Sequence, residues 1–137
     1  MEVKMGIIVK VKNLNDATFH AGIRKIANYS GYPTIGVTMQ VGALCKALMK
    51  ETTDNNAFYQ THFKDFWDEK GNILENKKEE YSKKIAEFME TEIPIFDKNG
   101  NEVKPLKMNY ISKANLTPAE LMALEPIFDP SAPLEAV

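Results

Sequence analysis

One stretch near the N-terminus decides the fold class: VKMGIIVKVK, residues 3–12. Apolar side chains at every second position fall on one face, and lysine, glycine and one isoleucine fall on the other. A period of two is that of a β-strand, and a strand with one apolar face belongs to a sheet that is covered on one side. We therefore predict a strand over residues 3–12, in a sheet that packs against helices.

The pairing partners of this strand are predicted near the other end of the chain. Residues 93–96 and 103–111 have strand-like composition, and the Asn99-Gly100 pair between them is a strong hairpin signal. Prolines in both segments restrict them to sheet edges or strand ends. The sequence thus predicts an α+β fold: a small antiparallel sheet, made of the N-terminal strand and a C-terminal hairpin, packed against three to four helices.

Apolar residues at helical spacing fill the segments between these strands. Phe19, Ile23 and Ile26 indicate a first helix, and Thr34 is a suitable N-cap for a second one. The apolar stripe of this second helix is formed by Val37, Val41, Leu44, Cys45 and Leu48.

The polar run of residues 51–56 leaves two alternatives open, a loop or a frayed stretch that joins two helices. Residues 57–69 are again typical of a helix, and Tyr81, Ile85 and Phe88 mark the apolar side of a further, highly charged helix.

A short last helix is predicted by the sequence LTPAEL, residues 116–121. Thr117 and Glu120 have the spacing of a capping box, and Pro118 suits the first helical position. Prolines at three later positions oppose a longer helix. We expect one α+β domain over residues 1–128, with residues 129–137 as a C-terminal tail.

The composition is that of an ordinary globular domain. The chain has 137 residues, of which 44% are hydrophobic and 26% charged, so a single core is feasible without disulfides. The N-terminus lacks the pattern of a signal peptide, and no apolar run is long enough to span a bilayer. We therefore expect an intracellular protein without a membrane partner.

Charge is unevenly distributed along the chain, although the net charge is only −2. Residues 1–50 carry seven basic and two acidic side chains, whereas the remainder carries ten basic and seventeen acidic ones. Either the two halves attract each other within the fold, or the acidic end meets a basic partner. A nucleic-acid partner is not expected, because the chain has no basic excess.

Chemistry-bearing residues are few. Cys45 lies in an apolar stripe and is interpreted as a core residue, and His20 as a boundary residue. On a continuous helix His62, Asp65 and Glu69 would share a face, which is either solvated or a metal site. The sequence has no nucleophile elbow and no phosphate-binding loop. We accordingly expect no enzyme activity, no cofactor and no metal.

An aromatic-rich stretch is the strongest candidate for a functional site. It contains Phe58, Tyr59, Phe63, Phe66 and Trp67 within ten positions. One interpretation is that these residues form the main core helix. The other is that part of the stretch, above all Trp67 or Tyr59, is an exposed anchor for a protein partner, because Trp and Tyr are common hot-spot residues.

Several segments resemble a group of short, uncharacterised proteins of tailed bacteriophages that infect low-GC bacteria. They are the opening strand, the aromatic and acidic segment HFKDFWDEKGN (residues 62–72), ETEIPI (residues 90–95) and the closing LTPAEL. The stretch of residues 31–42 departs from that pattern, since it is richer in glycine and β-branched residues. The resemblance implies a phage or prophage origin and a role other than catalysis.

Three functional hypotheses follow from these features. The first is stoichiometric binding to a host protein, such as a defence or regulatory factor, in the cytoplasm of the host cell. The second is a virion accessory or assembly protein, such as a connector or chaperone, which would self-associate. The third is a small metal-dependent enzyme built around His62.

Overall fold

A long helix and four shorter ones surround a two-stranded sheet in the computed structural model, which describes residues 6–111 and 113–128. In chain order the elements are β1 (Ile8–Lys10), α1 (Val11–Leu14), α2 (Ala17–Asn28), α3 (Ile35–His62), α4 (Lys78–Met89), β2 (Glu92–Pro94) and α5 (Pro118–Ala123). Short 3-10 turns lie at Lys64–Phe66, Glu75–Lys77, Met108–Ile111 and Glu125–Ile127. The α+β class predicted from the sequence is confirmed. The predicted tail, residues 129–137, lies outside the described residues.

The sheet joins the first strand to the segment around Ile93, as predicted. Strands β1 and β2 pair antiparallel, with Val9 opposite Ile93. One further bond extends the pairing, since the backbone N–H of Ile95 donates to the carbonyl of Ile7 at 2.9 Å. The pairing is a contact between residues far apart in sequence, and it closes the fold.

The first strand is shorter than its alternating pattern predicts. It ends at Lys10, where the chain turns into α1, and residues 3–5 lie outside the described part. The reason is local capping: the side chain of Asn13 accepts from the backbone N–H of Lys10 at 2.8 Å, and that of Asn15 donates to the carbonyl of Val11 at 3.0 Å. Such side-chain bonds offer the backbone an alternative to a sheet.

The predicted C-terminal hairpin is wrong in its second strand. Its turn is present, because the backbone N–H of Asp97 donates to Asn101 at 2.8 Å and Gly100 has a φ of +82°. Across this turn Phe96 and Glu102 form a bridge, and the N–H of Val103 donates to the carbonyl of Ile95 at 3.1 Å, but residues 103–111 form no strand. Pro105 then has no N–H for a ladder. The carbonyl of the residue before it instead accepts from Gln40 of α3 at 3.1 Å.

Helix α3 runs without a break through the polar residues 51–56, so both predicted alternatives, a loop and a frayed stretch between two helices, are wrong. The side chain of Thr52 donates to the carbonyl of Leu48 at 2.8 Å, and that of Asn55 to the carbonyl of Glu51 at 2.7 Å. These polar groups therefore bond to the preceding turn of the helix and do not terminate it. The resulting 28-residue helix is about 42 Å long.

Helix α3 ends at His62, earlier than the expected end at residue 69. A tight loop follows, in which the carboxylate of Asp68 accepts from the backbone N–H groups of Lys70 and Asn72 at 2.8 and 2.9 Å. Gly71, with a φ of +82°, completes the turn, and Trp67 and Ile73 form a bridge across it.

The main core lies between β1, α2, the first half of α3 and the C-terminal segment. Helix α3 contributes Val37, Val41, Leu44 and Leu48 to it, and Thr34 caps this helix by accepting from the N–H of Val37 at 3.1 Å. The sequence predicted both the stripe and the cap. Cys45, predicted to be buried, is half-buried at the edge of this core.

Helices α2 and α5 approach each other closely at Gly22. A Cβ atom at this position would lie 2.6 Å from Cδ1 of Leu124, a fully buried side chain with little room to move. By contrast, Gly42 is exposed on α3, and a Cβ there would meet nothing within 4 Å.

We expect opposite effects from alanine at these two glycines. Gly22→Ala should lower the free energy of unfolding by about 1–3 kcal/mol through overpacking. Gly42→Ala should raise it by about 0.5–1 kcal/mol, because alanine is the better helix former. Chemical denaturation of the two variants measures both effects. A stabilised Gly22→Ala protein would contradict the close packing of α2 and α5.

Ion pairs connect the basic first part of the chain to its acidic second part. Lys10 and Lys12 both reach Glu90, with N–O distances of 2.7 and 2.9 Å, and Lys25 reaches Glu120 at 2.7 Å. These contacts support the interpretation in which the two halves attract each other within one fold. Hydrogen bonds from Lys10 and Lys12 also lower the pKa of Glu90 below its ordinary value.

Glu120 is a buried acid with two functions in the fold. It completes the predicted capping box, because Thr117 accepts from the N–H of Glu120 at 3.1 Å and the carboxylate of Glu120 accepts from the N–H of Thr117 at 2.8 Å. The same carboxylate binds Lys25 of α2. The hydrogen bond from Lys25 lowers the pKa of Glu120 below its ordinary value of 4.5, as does the bond from Thr117.

This ion pair should make part of the stability sensitive to acid. Because the folded pKa of Glu120 is depressed, its contribution is present above its unfolded pKa and disappears as the pH falls through the folded value. We expect Glu120→Gln to destabilise the protein at about pH 7 and to do so less at about pH 3. Denaturation of both proteins at the two pH values measures the difference. An unchanged difference would show that the carboxylate charge does not contribute.

Candidate functional site

The five aromatic residues singled out in the sequence come together, and they pack against two rings from α4. We call this group the aromatic cluster: Phe58, Tyr59, Phe63, Phe66, Trp67, Tyr81 and Phe88. It lies beyond the main core, at the C-terminal end of α3.

Phe63 is the centre of the aromatic cluster. Its ring centroid lies 4.9 Å from Tyr59 and 5.5 Å from Phe88, and 5.9 Å from both Phe66 and Tyr81. Phe63 and Phe66 are buried. Together these two residues form a second, smaller core, which holds the end of α3 and the following turn to α4.

The half-buried members carry the polar groups of the aromatic cluster. The hydroxyl groups of Tyr59 and Tyr81 are hydrogen bonded at 2.8 Å, and the Trp67 ring meets the Tyr81 ring edge-on at 5.8 Å. Burial raises the pKa of Tyr81 to about 12, with a further contribution from its hydrogen bond to Tyr59. Tyr81 therefore stays neutral at physiological pH.

Phe58 is the most exposed of the five predicted anchors, with 46% of the residue accessible. Its ring is stacked on His62 at 4.0 Å and on Phe88 at 5.3 Å. The part of the aromatic cluster that a partner can reach without a rearrangement is thus centred on Phe58, with the half-buried Tyr59 and Trp67 further in.

The helical face proposed for a metal does not form. His62 is the last residue of α3, so Asp65 and Glu69 lie in the turn and loop beyond the helix. Within residues 6–111 and 113–128, His, Cys, Asp and Glu side chains form no group of three that could hold a metal ion. Burial raises the pKa of the Cys45 thiol, which keeps it protonated and poorly nucleophilic.

A second candidate surface lies on α3, and the sequence analysis missed it. We call it the outer stripe: Ile35, Met39, Gly42, Lys46 and Met49. The steps between these positions are four, three, four and three, so they share one face of the helix, away from the buried stripe of Val37, Val41 and Leu44. All five outer positions are exposed.

The apolar members of the outer stripe are exposed to an unusual degree. Ile35 is 80% accessible, Met39 70% and Met49 68%. Single exposed hydrophobic residues are normal, but several on one face mark candidate interaction sites. Lys46 lies among them and, within the part of the chain that the structure describes, has no acidic partner. The stripe is therefore apolar with a positive centre.

The signal that would have revealed the outer stripe is a helix with apolar residues on two faces. Residues 35–49 contain both the core stripe and Ile35, Met39 and Met49, although a surface helix needs one apolar face only.

No described helix is both long and apolar enough to cross a membrane.

No known protein family, curated protein or solved structure matches this chain. Proposals about its function therefore rest on its own residues and geometry.

Proposed function

We propose that this chain is a non-enzymatic, phage-type protein that binds a host protein in fixed stoichiometry, and that the outer stripe makes the contact. The observation that carries the proposal is the exposure of Ile35, Met39 and Met49 on one face of a helix whose other face is buried. In this account the chain acts in the host cell, as an inhibitor of a defence or regulatory factor.

The outer stripe is well suited to binding because the helix backbone that carries it is held in place by packing. The inner face of α3 packs into the main core in its first half, and the aromatic cluster holds its last turn to α4. A helix backbone that is already ordered loses little further backbone entropy when a partner binds, and this raises affinity without further contacts. Methionine adds adaptability, since its unbranched side chain fits partners of different shapes.

The chemistry of the outer stripe defines the partner surface that fits it. An apolar groove or helix face on the partner would fit the side chains of Ile35, Met39 and Met49. Gly42, which has no side chain, allows the partner to approach the helix closely at the middle of the stripe. Lys46 calls for a carboxylate opposite it. We therefore expect a host protein that presents an apolar patch with at least one acidic residue.

The aromatic cluster remains a predicted partner site through its exposed edge. Phe58 is positioned to contact a partner directly, with Tyr59 and Trp67 beside it. Phe63 and Phe66 support that edge from below, because both are buried in the same cluster.

Affinity capture from a lysate of the host bacterium tests the proposal. The bait is the tagged full chain, compared with a Met39→Glu/Met49→Glu variant and with Met122→Glu as the matched control. Met122 lies on α5 and is 76% exposed. We expect one stoichiometric partner that is lost at least tenfold with the double variant, since a buried unpaired charge costs more than about 1.4 kcal/mol. Equal recovery by all three baits, or no specific partner, would contradict the proposal.

An assembly role is the second candidate, and the spacing of the outer stripe favours it. Alternating steps of three and four are those of a coiled-coil seam, so two copies of α3 could pack together. Sedimentation of the purified chain distinguishes the two functions. The first proposal expects a monomer, whereas a dimer that Met39→Glu/Met49→Glu dissociates would favour assembly.

A further inference from the structure

A cleft with a basic lining lies beside α2, away from the outer stripe and the aromatic cluster. One wall is the C-terminal half of α2, with Arg24, Lys25 and Tyr29, and the other is the loop with Lys113 and Asn115. We call this the basic cleft. It is a shallow cleft of about 610 Å³ that is wide open to solvent, so a ligand bound in it would stay partly exposed.

The walls of the basic cleft are fixed to each other by Lys25. Its ammonium group donates to the backbone carbonyl of Asn115 at 3.1 Å and to the buried carboxylate of Glu120 at 2.7 Å. Asn115 has a φ of +60°, which residues other than glycine rarely adopt. Asparagine adopts this conformation more readily than most other residues, and the bond from Lys25 holds the loop against α2.

The remaining charge in the basic cleft is positive. Lys25 is neutralised by Glu120, but Arg24 and Lys113 are exposed and have no acidic partner among the described residues. The cleft therefore carries two positive side chains that no described acid neutralises. The planar guanidinium group of Arg24 is suited to bidentate binding of phosphate oxygens, and Lys113 supplies a second charge.

The other lining groups fit the organic part of a ligand. Ala21, Ala114 and the half-buried ring of Tyr29 provide an apolar surface, and the amide of Asn28 provides hydrogen-bond donors and acceptors. We propose that the basic cleft binds a small organic phosphate of mononucleotide size. Arg24 and Lys113 hold the phosphate, and Tyr29 contacts the organic part. The proposal does not depend on the outer stripe, since it involves none of its residues.

Titration of the full chain with AMP and with inorganic phosphate, followed by amide chemical shifts, tests this inference. We expect saturable shifts at Arg24, Asn28 and Lys113, and tighter binding of AMP than of phosphate. Arg24→Gln and Lys113→Gln should each weaken AMP binding about tenfold, as expected for the loss of a charge-assisted hydrogen bond. Lys83→Gln, at an exposed position of α4, is the control and should bind AMP as the wild type does.

Four outcomes would overturn the inference. The first is the absence of saturable shifts up to about 10 mM ligand. The second is an equal loss of affinity in Lys83→Gln, and the third is equal affinity for AMP and phosphate. The fourth comes from a parallel titration with a dT oligonucleotide: tighter binding than AMP, with shifts that spread well beyond the cleft. The last outcome would indicate a nucleic-acid surface in place of a small-molecule site. Circular dichroism of each variant confirms that a loss of binding does not reflect unfolding.

Discussion

Replacing Phe63 with alanine is expected to lower the free energy of unfolding by about 3–5 kcal/mol, the range for loss of a buried aromatic ring. Phe63 is buried and packs against four other rings of the aromatic cluster. Its removal leaves a cavity between α3 and α4, because the surrounding rings are held by one another and cannot all move into the space. Denaturant unfolding of the purified variant measures the loss.

Phe58→Ala is the matched control for this experiment. Phe58 lies one helical turn earlier in the same cluster but is 46% exposed, so its removal should cost about 1 kcal/mol. Equal losses in the two variants, or a loss below about 1 kcal/mol for Phe63→Ala, would contradict the description of Phe63 as the centre of a second core.

Two adjacent residues of α3 should differ sharply in their contribution to stability. Leu48→Ala is expected to lower the free energy of unfolding by about 2–5 kcal/mol, since Leu48 is buried in the main core. Met49→Ala should change it by no more than about 0.5 kcal/mol, because Met49 belongs to the exposed outer stripe. Parallel denaturation curves of the two variants measure the contrast.

This contrast tests whether α3 has one apolar face for folding and another for binding. A large loss of stability in Met49→Ala would place Met49 in a packed contact and remove it from the proposed binding surface. A small loss of unfolding free energy in Leu48→Ala would show that Leu48 is not part of the main core. Either result would require a different orientation of the helix.

Local signals in the sequence predicted the parts of the fold that depend on neighbouring residues. The capping box of Thr117 and Glu120 is one example, and the Thr34 cap with the buried stripe of α3 is another. In each case the interacting groups lie within a few residues of each other, so spacing and residue type suffice. The pairing of the first strand with residue 93 was also predicted, from two short apolar runs.

The sequence-based prediction was wrong in two places, one because of a contact between distant segments and one because of a local cap. The second hairpin strand is replaced by a segment whose backbone binds Gln40, a residue of α3 far away in sequence. The predicted first strand was too long. The apolar alternation continues to residue 12, but the side chain of Asn13 caps α1 and ends the strand at Lys10. Neither effect can be read from periodicity.

The candidate site shows the same division. The sequence identified the aromatic stretch, but the exposure of its rings depends on Tyr81 and Phe88 of α4, which cover some rings and leave others accessible. The exposure of the outer stripe is likewise a tertiary property. Apolar residues occur on two faces of α3, and only the packing of the other elements decides which face is buried.

Methionine oxidation, measured by mass spectrometry, tests most directly the claim that the outer stripe is the binding surface, because methionines lie both inside and outside this stripe. Met39 and Met49 lie in the outer stripe, and Met122 is equally exposed on α5. All three should oxidise readily in the isolated chain. In the complex captured from host lysate we expect Met39 and Met49 to be protected while Met122 remains reactive. Unchanged oxidation of Met39 and Met49 in an intact complex would contradict the claim that the outer stripe is the binding surface.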